Sequence, residues 1–181
     1  AVAAVGVRQA AAQSPWYEGF EGPRPSWNDR GGNCRYRVES QRRVRDQSHT
    51  GQACEYLQRA GQGGTHVYFG HEVGRPLVID ELLPSVWVKS DRSGIQLIAR
   101  VALPRSTDPR TGEPLTTLVY GSSYSSPGQW QQLRLENVPE GLTRSVRVLR
   151  SQMASPVDPR EAYVEEVLLN VYGGPGVTNV W

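Results

Sequence analysis

The sequence predicts an all-β fold, a sandwich or barrel of antiparallel strands. Three observations predict it. Apolar and polar residues alternate with period two along much of the chain. About ten such segments recur at short intervals, each closed by Gly, Pro, Asn, Asp or Ser. No long segment repeats its apolar residues with a helical period.

The chain opens with AVAAVGVRQAAAQ, small and apolar and free of acids. Residues 1–13 read as the remnant of a signal peptide, with small residues around a cleavage point near Ala10 to Gln13. That reading predicts a secreted, cell-surface or periplasmic protein. A frayed alanine-rich terminus or linker is the other reading. Residues 14–181 read as one β-sandwich module.

SPWYEGFEGPRPSW, Ser14 to Trp27, reads as the first strand and its lead-in. In CRYRVESQRRVR, one side holds Tyr36, Val38, Ser40, Arg42 and Val44, and the other is almost wholly charged. That is a half-buried strand with one wet face. DQSHTG is turn chemistry, and ACEYLQ returns as a hairpin partner with Val44 opposite about Ala53. THVYFGHEV, SVWVKS, IQLIARVAL, LTTLVYGSSY, QWQQLRLEN, SVRVLRSQ, AYVEEVLLNVY and VTNVW come next as strands. VIDELLPS has room for one helical turn. The final NVW stops short of a usual strand length of about five or six residues, which predicts that the protein continues past Trp181.

Composition excludes several functions. The formal charge is +2 over 181 residues, and the arginines are interspersed with acids, so no nucleic acid is expected as a partner. No apolar run is long enough for a membrane span, so no membrane partner is expected. His49, His66 and His71 lack zinc-ligand spacing. Asp80-Glu81 and Glu165-Glu166 are adjacent pairs; neighbours on a regular strand diverge, so neither pair flanks one bond by itself. No nucleophile elbow or phosphate loop is present, and the chain reads as non-catalytic. Cys34 and Cys54 leave pairing open.

Two constellations remain. Glu18 and Glu21 in YEGFEG, with the glycine turn SHTGQA, offer hard oxygens of the kind calcium takes; solvated glutamates are the plainer reading. Sorting strands by alternation then leaves Tyr68, Trp87, Lys89, Gln96, Arg100, Asn170 and Tyr172 on sides away from the apolar sets. If those strands are neighbours, the residues share one polar-aromatic face suited to a ligand. The alternative is that Trp87 and the tyrosines pack in the core or between the sheets and that Arg100 is a satisfied partner.

GFEG, then HTGQACEYL, then GQWQQLRL occur in an order that resembles jelly-roll carbohydrate-binding modules of the galactose-binding-like kind. The stretch, with GGPGVTNVW near its end, also resembles the N-terminal β-sandwich of large exported planctomycete-type proteins that place a glycosidase-like barrel downstream. The resemblance implies a two-sheet antiparallel jelly roll and a structural Ca²⁺ involving Glu21 and the Gly51 turn, with a last acid beyond Trp181. It also implies binding of polysaccharide or oligosaccharide as an accessory module of a larger polypeptide. The alternative function is a structural or protein-interaction sandwich that packs on an adjacent domain without binding sugar.

Overall fold

The computed structural model describes residues 17–153 and 155–181. The expected signal remnant, 1–13, lies outside the described residues. The strands are β1 (Asn28–Gly32), β2 (Tyr36–Val44), β3 (Cys54–Gly61), β4 (Val67–Glu72), β5 (Ser85–Val88), β6 (Gln96–Thr107), β7 (Pro114–Ser123), β8 (Gln131–Arg134), β9 (Tyr163–Asn170) and β10 (Gly176–Val180). One helix, α1 (Val138–Gln152), lies between β8 and β9.

One layer is a five-stranded sheet in the order β1-β4-β9-β6-β7. The other joins β10-β3-β2 to the β5-β8 pair. The join is made just beyond β5: Lys89 and Trp181 exchange backbone hydrogen bonds at 2.9 and 2.8 Å, and Ser90 bridges Val180. The pairings are antiparallel throughout the described residues. Hairpins within a layer join β2 to β3 and β6 to β7, while most other connections change layer, as the double-sheet jelly roll predicts.

Alternation builds the core. Val67 and Phe69 of β4, Leu97 and Ala99 of β6, Val119 of β7 and Leu169 of β9 face Leu57, Val88, Leu133 and Val180 of the other layer. Each buried aliphatic side chain contributes about 1.5–3 kcal/mol of burial free energy.

Three sequence expectations are corrected. The first strand is β1, not the Pro- and Gly-rich stretch before it: residues 17–27 make no strand, and Phe20 takes φ 59°. SVRVLRSQ is the C-terminal half of α1. Pro139 opens that helix, and Val138, Leu142 and Val146 recur every four residues and bury against β7. Gly141 belongs to the helix because a Cβ there would meet Val119 Cγ1 at 2.5 Å, so helix and strand pack closely. In the sequence that glycine reads as a helix breaker and hides the period.

The third correction is a β-bulge. Between Val38 and Ser40 the register of β2 against β3 slips by one residue. Tyr36 and Val38 face the core, but beyond the bulge Gln41 and Arg43 turn inward instead of Ser40 and Arg42. Arg43 meets Glu55 at 3.1 Å with both side chains under a tenth exposed, 9% and 8%. Val44 consequently pairs with Cys54 rather than Ala53. Both cysteines are free thiols.

Candidate functional site

The five-stranded sheet has a second face, turned away from the core. Register aligns its side chains in rows: Tyr68, Asn170 and Gln96; then Gly70, Leu168 and Ile98, with Tyr120 opposite Ile98; then Glu72, Glu166 and Arg100. Leu168 and Ile98 are fully buried although they lie outside the main core. Tyr68, Tyr120 and Arg100 are large neighbours of this pair in the register of the same face. Tyr68 stacks on His66 at 4.5 Å. Burial, and then the neighbouring Tyr120 hydroxyl, push the Tyr68 phenol above its usual value.

At one end of this face lies a groove of about 440 Å³, lined by Arg30, Glu72, Arg75, Arg100, Glu165 and Glu166 together with Val73 and Gly74. Glu166 is its centre. Only 2% exposed, it accepts a 2.5 Å hydrogen bond from Arg30 Nε at one oxygen and a 2.8 Å bond from Arg100 Nη1 at the other. The carboxylate lies over Gly70, where any Cβ would collide with it. Each guanidinium keeps further N–H groups that Glu166 does not use. Glu72 reaches Arg30 Nη2 at 3.5 Å from the rim. Arg75 rests over the Tyr163 ring, 5.5 Å from its centre.

Glu165 reaches the same groove through a bulge. Arg100 pairs with Glu166 and Val101 with Val164, leaving Glu165 as the extra residue of β9. The two glutamates therefore do not diverge as neighbours on a regular strand would. Both oxygens of Glu166 are held by arginines, so this carboxylate fixes the positions of two guanidiniums.

The predicted ligand face is thus divided. Tyr68, Gln96, Arg100 and Asn170 come together on the outer face of the five-stranded sheet. Trp87 and Lys89 do not join them, because β5 belongs to the opposite layer. Tyr172 also leaves the group: β9 ends at Asn170, and the Tyr172 ring packs 4.8 Å from the Arg59 guanidinium while its hydroxyl accepts from Gly64 N. Asn170 is largely occupied by the fold, accepting from Val67 N and Tyr172 N and donating to Thr65 O. Gln96 donates to Gly121 O.

Sequence reading missed Arg30, Tyr120 and Glu72, and noted Glu166 without carrying it into the site. Arg30 sits in NDRGG, whose glycines conceal a strand. Tyr120 had a usable signal: Val119 is buried and its neighbours Leu118 and Tyr120 are not, so alternation assigns them to the outer face.

Glu21 and Gly51 are adjacent in space. Glu21 Oε1 accepts from Gln52 N at 2.8 Å and Ala53 N at 3.4 Å, and Gly51 takes φ 70°. Calcium takes about six to eight oxygens. Here the carboxylate faces amide donors, Gly51 O accepts from Ser48 Oγ, and no three acidic, His or Cys side chains converge among the described residues. The donor set fits a carboxylate-capped turn and does not fit a calcium cage.

No family model matches the sequence, and no curated protein matches it. Among solved structures, the chain is similar to a family 30 carbohydrate-binding module at 12% identity, over 79% of this chain and 73% of that one, with a TM-score of 0.40. It is similar to the family 30 module of a cellulosomal cellulase of Clostridium thermocellum at 11% identity, over 84% and 89%, with a TM-score of 0.40. It is also similar to a family 61 module, crystallised with β-1,4-galactotriose, at 9% identity, over 81% and 83%, with a TM-score of 0.30.

Proposed function

We propose that this domain is a non-catalytic carbohydrate-binding module, and that the outer face of the five-stranded sheet binds the glycan. The observation that carries the reading is the groove at one end of the face that also carries Tyr68 and Tyr120, where guanidinium and carboxylate groups alternate. Sugar hydroxyls donate and accept at once. A groove presenting planar arginine forks and carboxylates satisfies vicinal hydroxyls in pairs, and a tyrosine ring covers the apolar C–H face of a pyranose. Tyr120 is the exposed ring, at 58%. Glu166 organises the arginines so that little side-chain entropy is lost on binding.

In this reading the module belongs to an exported polypeptide and keeps an attached catalytic domain close to polysaccharide. Affinity electrophoresis through gels containing soluble β-glucans, mannans, galactans or xylans tests it. Retardation of the folded module, reduced by Tyr120→Ala and by Arg100→Ala, is the expected result. A folded module that no polysaccharide retards sinks the reading.

A second reading is favoured by the segment between β4 and β5. Leu77, Ile79 and Leu83 are 44%, 43% and 67% exposed there, the kind of surface that packs on an adjacent domain. Replacing the three by Ser raises solubility and loosens the fit of such a domain if that packing exists; unchanged interdomain protection in hydrogen exchange counts against it.

A further inference from the structure

The layer opposite the proposed glycan face carries a different set of rings. Its outer face holds Trp87 and Lys89 along β5 and its extension, Trp181 across from Lys89, Tyr56 of β3 and Arg42 of β2. Trp87 remains 41% exposed, yet it is not loosely held. His49, from the loop between β2 and β3, stacks on it at 3.7 Å and 14°, and Trp130 meets the His49 ring edge-on at 5.7 Å. Trp181 and Tyr56 lie 5.2 Å apart. Lys89 Nζ is 5.8 Å from the Trp181 ring centre and donates to Gln47 Oε1. A cleft of about 180 Å³ opens here, lined by Arg42, Asp46, Gln47, Tyr56 and Trp181 with Val44.

The combination is specific. Large indoles are normally buried, and fixing them at a surface costs apolar exposure that the fold does not require. Here Trp87 is preorganised by ring stacking, and Trp181 stands diagonally across the ladder from it, about 7–8 Å between backbones for such a pair. Between and beside them are an ammonium, a guanidinium, a carboxylate and an amide. Two fixed rings with hydroxyl-binding groups beside them suit a pyranose chain: the rings take C–H faces and the polar groups take hydroxyls. The cleft is lined mainly by polar side chains, Arg42, Asp46 and Gln47, beside the Tyr56 and Trp181 rings, which suits hydroxyl groups.

We propose that this second face, centred on Trp87 and Trp181, is an independent oligosaccharide-binding site. It uses none of the residues of the groove around Glu166. A module with two faces can engage two segments of glycan and gain retention by avidity on insoluble polymer.

The rings make the test direct, because the groove around Glu166 contains no tryptophan. Hexasaccharides of β-1,4-linked glucose, mannose, galactose and xylose are titrated against the intact chain while indole emission is followed. A saturable emission change is expected, retained in Tyr120→Ala and Arg100→Ala, and in Trp87→Ala reduced in amplitude with its midpoint moved to about tenfold more sugar. Should Trp87→Ala fold poorly, His49→Ala, which alters an exposed loop residue, removes the stacking ring and is expected to weaken the same signal. No emission change with any of the four sugars overturns the second site. So does an emission change that Trp87→Ala and His49→Ala leave intact. Gel retardation sensitive to Tyr120→Ala with silent indoles leaves the first face standing alone.

Discussion

Arg100 and Glu166 stand opposite each other on β6 and β9 and close a 2.8 Å ion pair on the side of the sheet away from the core. Arg30 closes the other oxygen at 2.5 Å. The carboxylate is nearly inaccessible, while each arginine side chain is 30% exposed. A buried charge without a partner is costly, and a half-exposed one regains water.

The asymmetry predicts different costs for the two kinds of substitution. Arg30→Ala with Arg100→Ala strands the carboxylate and costs about 3–5 kcal/mol in urea unfolding. Either single replacement costs less, because the remaining arginine still pairs. A double variant as stable as the wild type would show that Glu166 needs neither partner.

At the Gly51 turn, alanine meets a left-handed backbone and the Glu21 carboxylate together. Gly51→Ala is expected to destabilise by about 1–2 kcal/mol from the backbone alone. Glu21→Ala removes the acceptor for Gln52 and Ala53 amides and costs about 1 kcal/mol. Chelation with EDTA is expected to leave the thermal midpoint unchanged. A midpoint that falls with EDTA and recovers with Ca²⁺ contradicts the reading of Glu21 as a turn cap.

Arg59 is a fully buried cation held mainly by carbonyls. It donates to Val171 O at 3.1 Å, Gly174 O at 3.0 Å and Thr178 Oγ1 at 3.1 Å, tying β3 to the segment that links β9 and β10. Arg59→Leu leaves those acceptors unpaired at about 1–3 kcal/mol for each one that stays buried. Arg59→Lys, lacking the planar fork, is expected to restore little of the loss. Thermal melts of the three proteins decide it.

Burial, with Asp46 nearby, pushes the Cys54 thiol from 9.0 up to about 11. Below the unfolded value both states hold the proton, and the contribution is complete. Between about 9 and 11 only the folded state holds it, so stability falls as pH rises through that window. The difference in unfolding free energy between wild type and Cys54→Ala should therefore shrink across that range, and a constant difference argues against it. With iodoacetamide, half-buried Cys34 is expected to label before buried Cys54.

Most strands were legible because each one keeps a wet side and a dry side. In β6, Leu97, Ala99, Val101 and Leu103 form the core set, while the other side mixes half-buried Gln96 and Arg100 with buried Ile98. β9 was legible despite two glutamates that suit a helix, since Tyr163, Val167, Leu169 and Val171 keep a period of two. β1 was hidden by its glycines, and α1 by a glycine admitted into a helix because Val119 packs against it. Both were settled by neighbours distant in sequence.

The sequence alone determined that antiparallel strands with one wet and one dry side hide a set of side chains, because a period of two is a local property of the backbone. Only the tertiary structure decided that Tyr68 and Arg100 share a surface while Trp87 and Lys89 lie on the opposite one. Alternation assigns a side chain to one of two directions and says nothing of which strand lies alongside. A single extra residue, as at Glu39 or Glu165, reverses even that direction for the remainder of its strand.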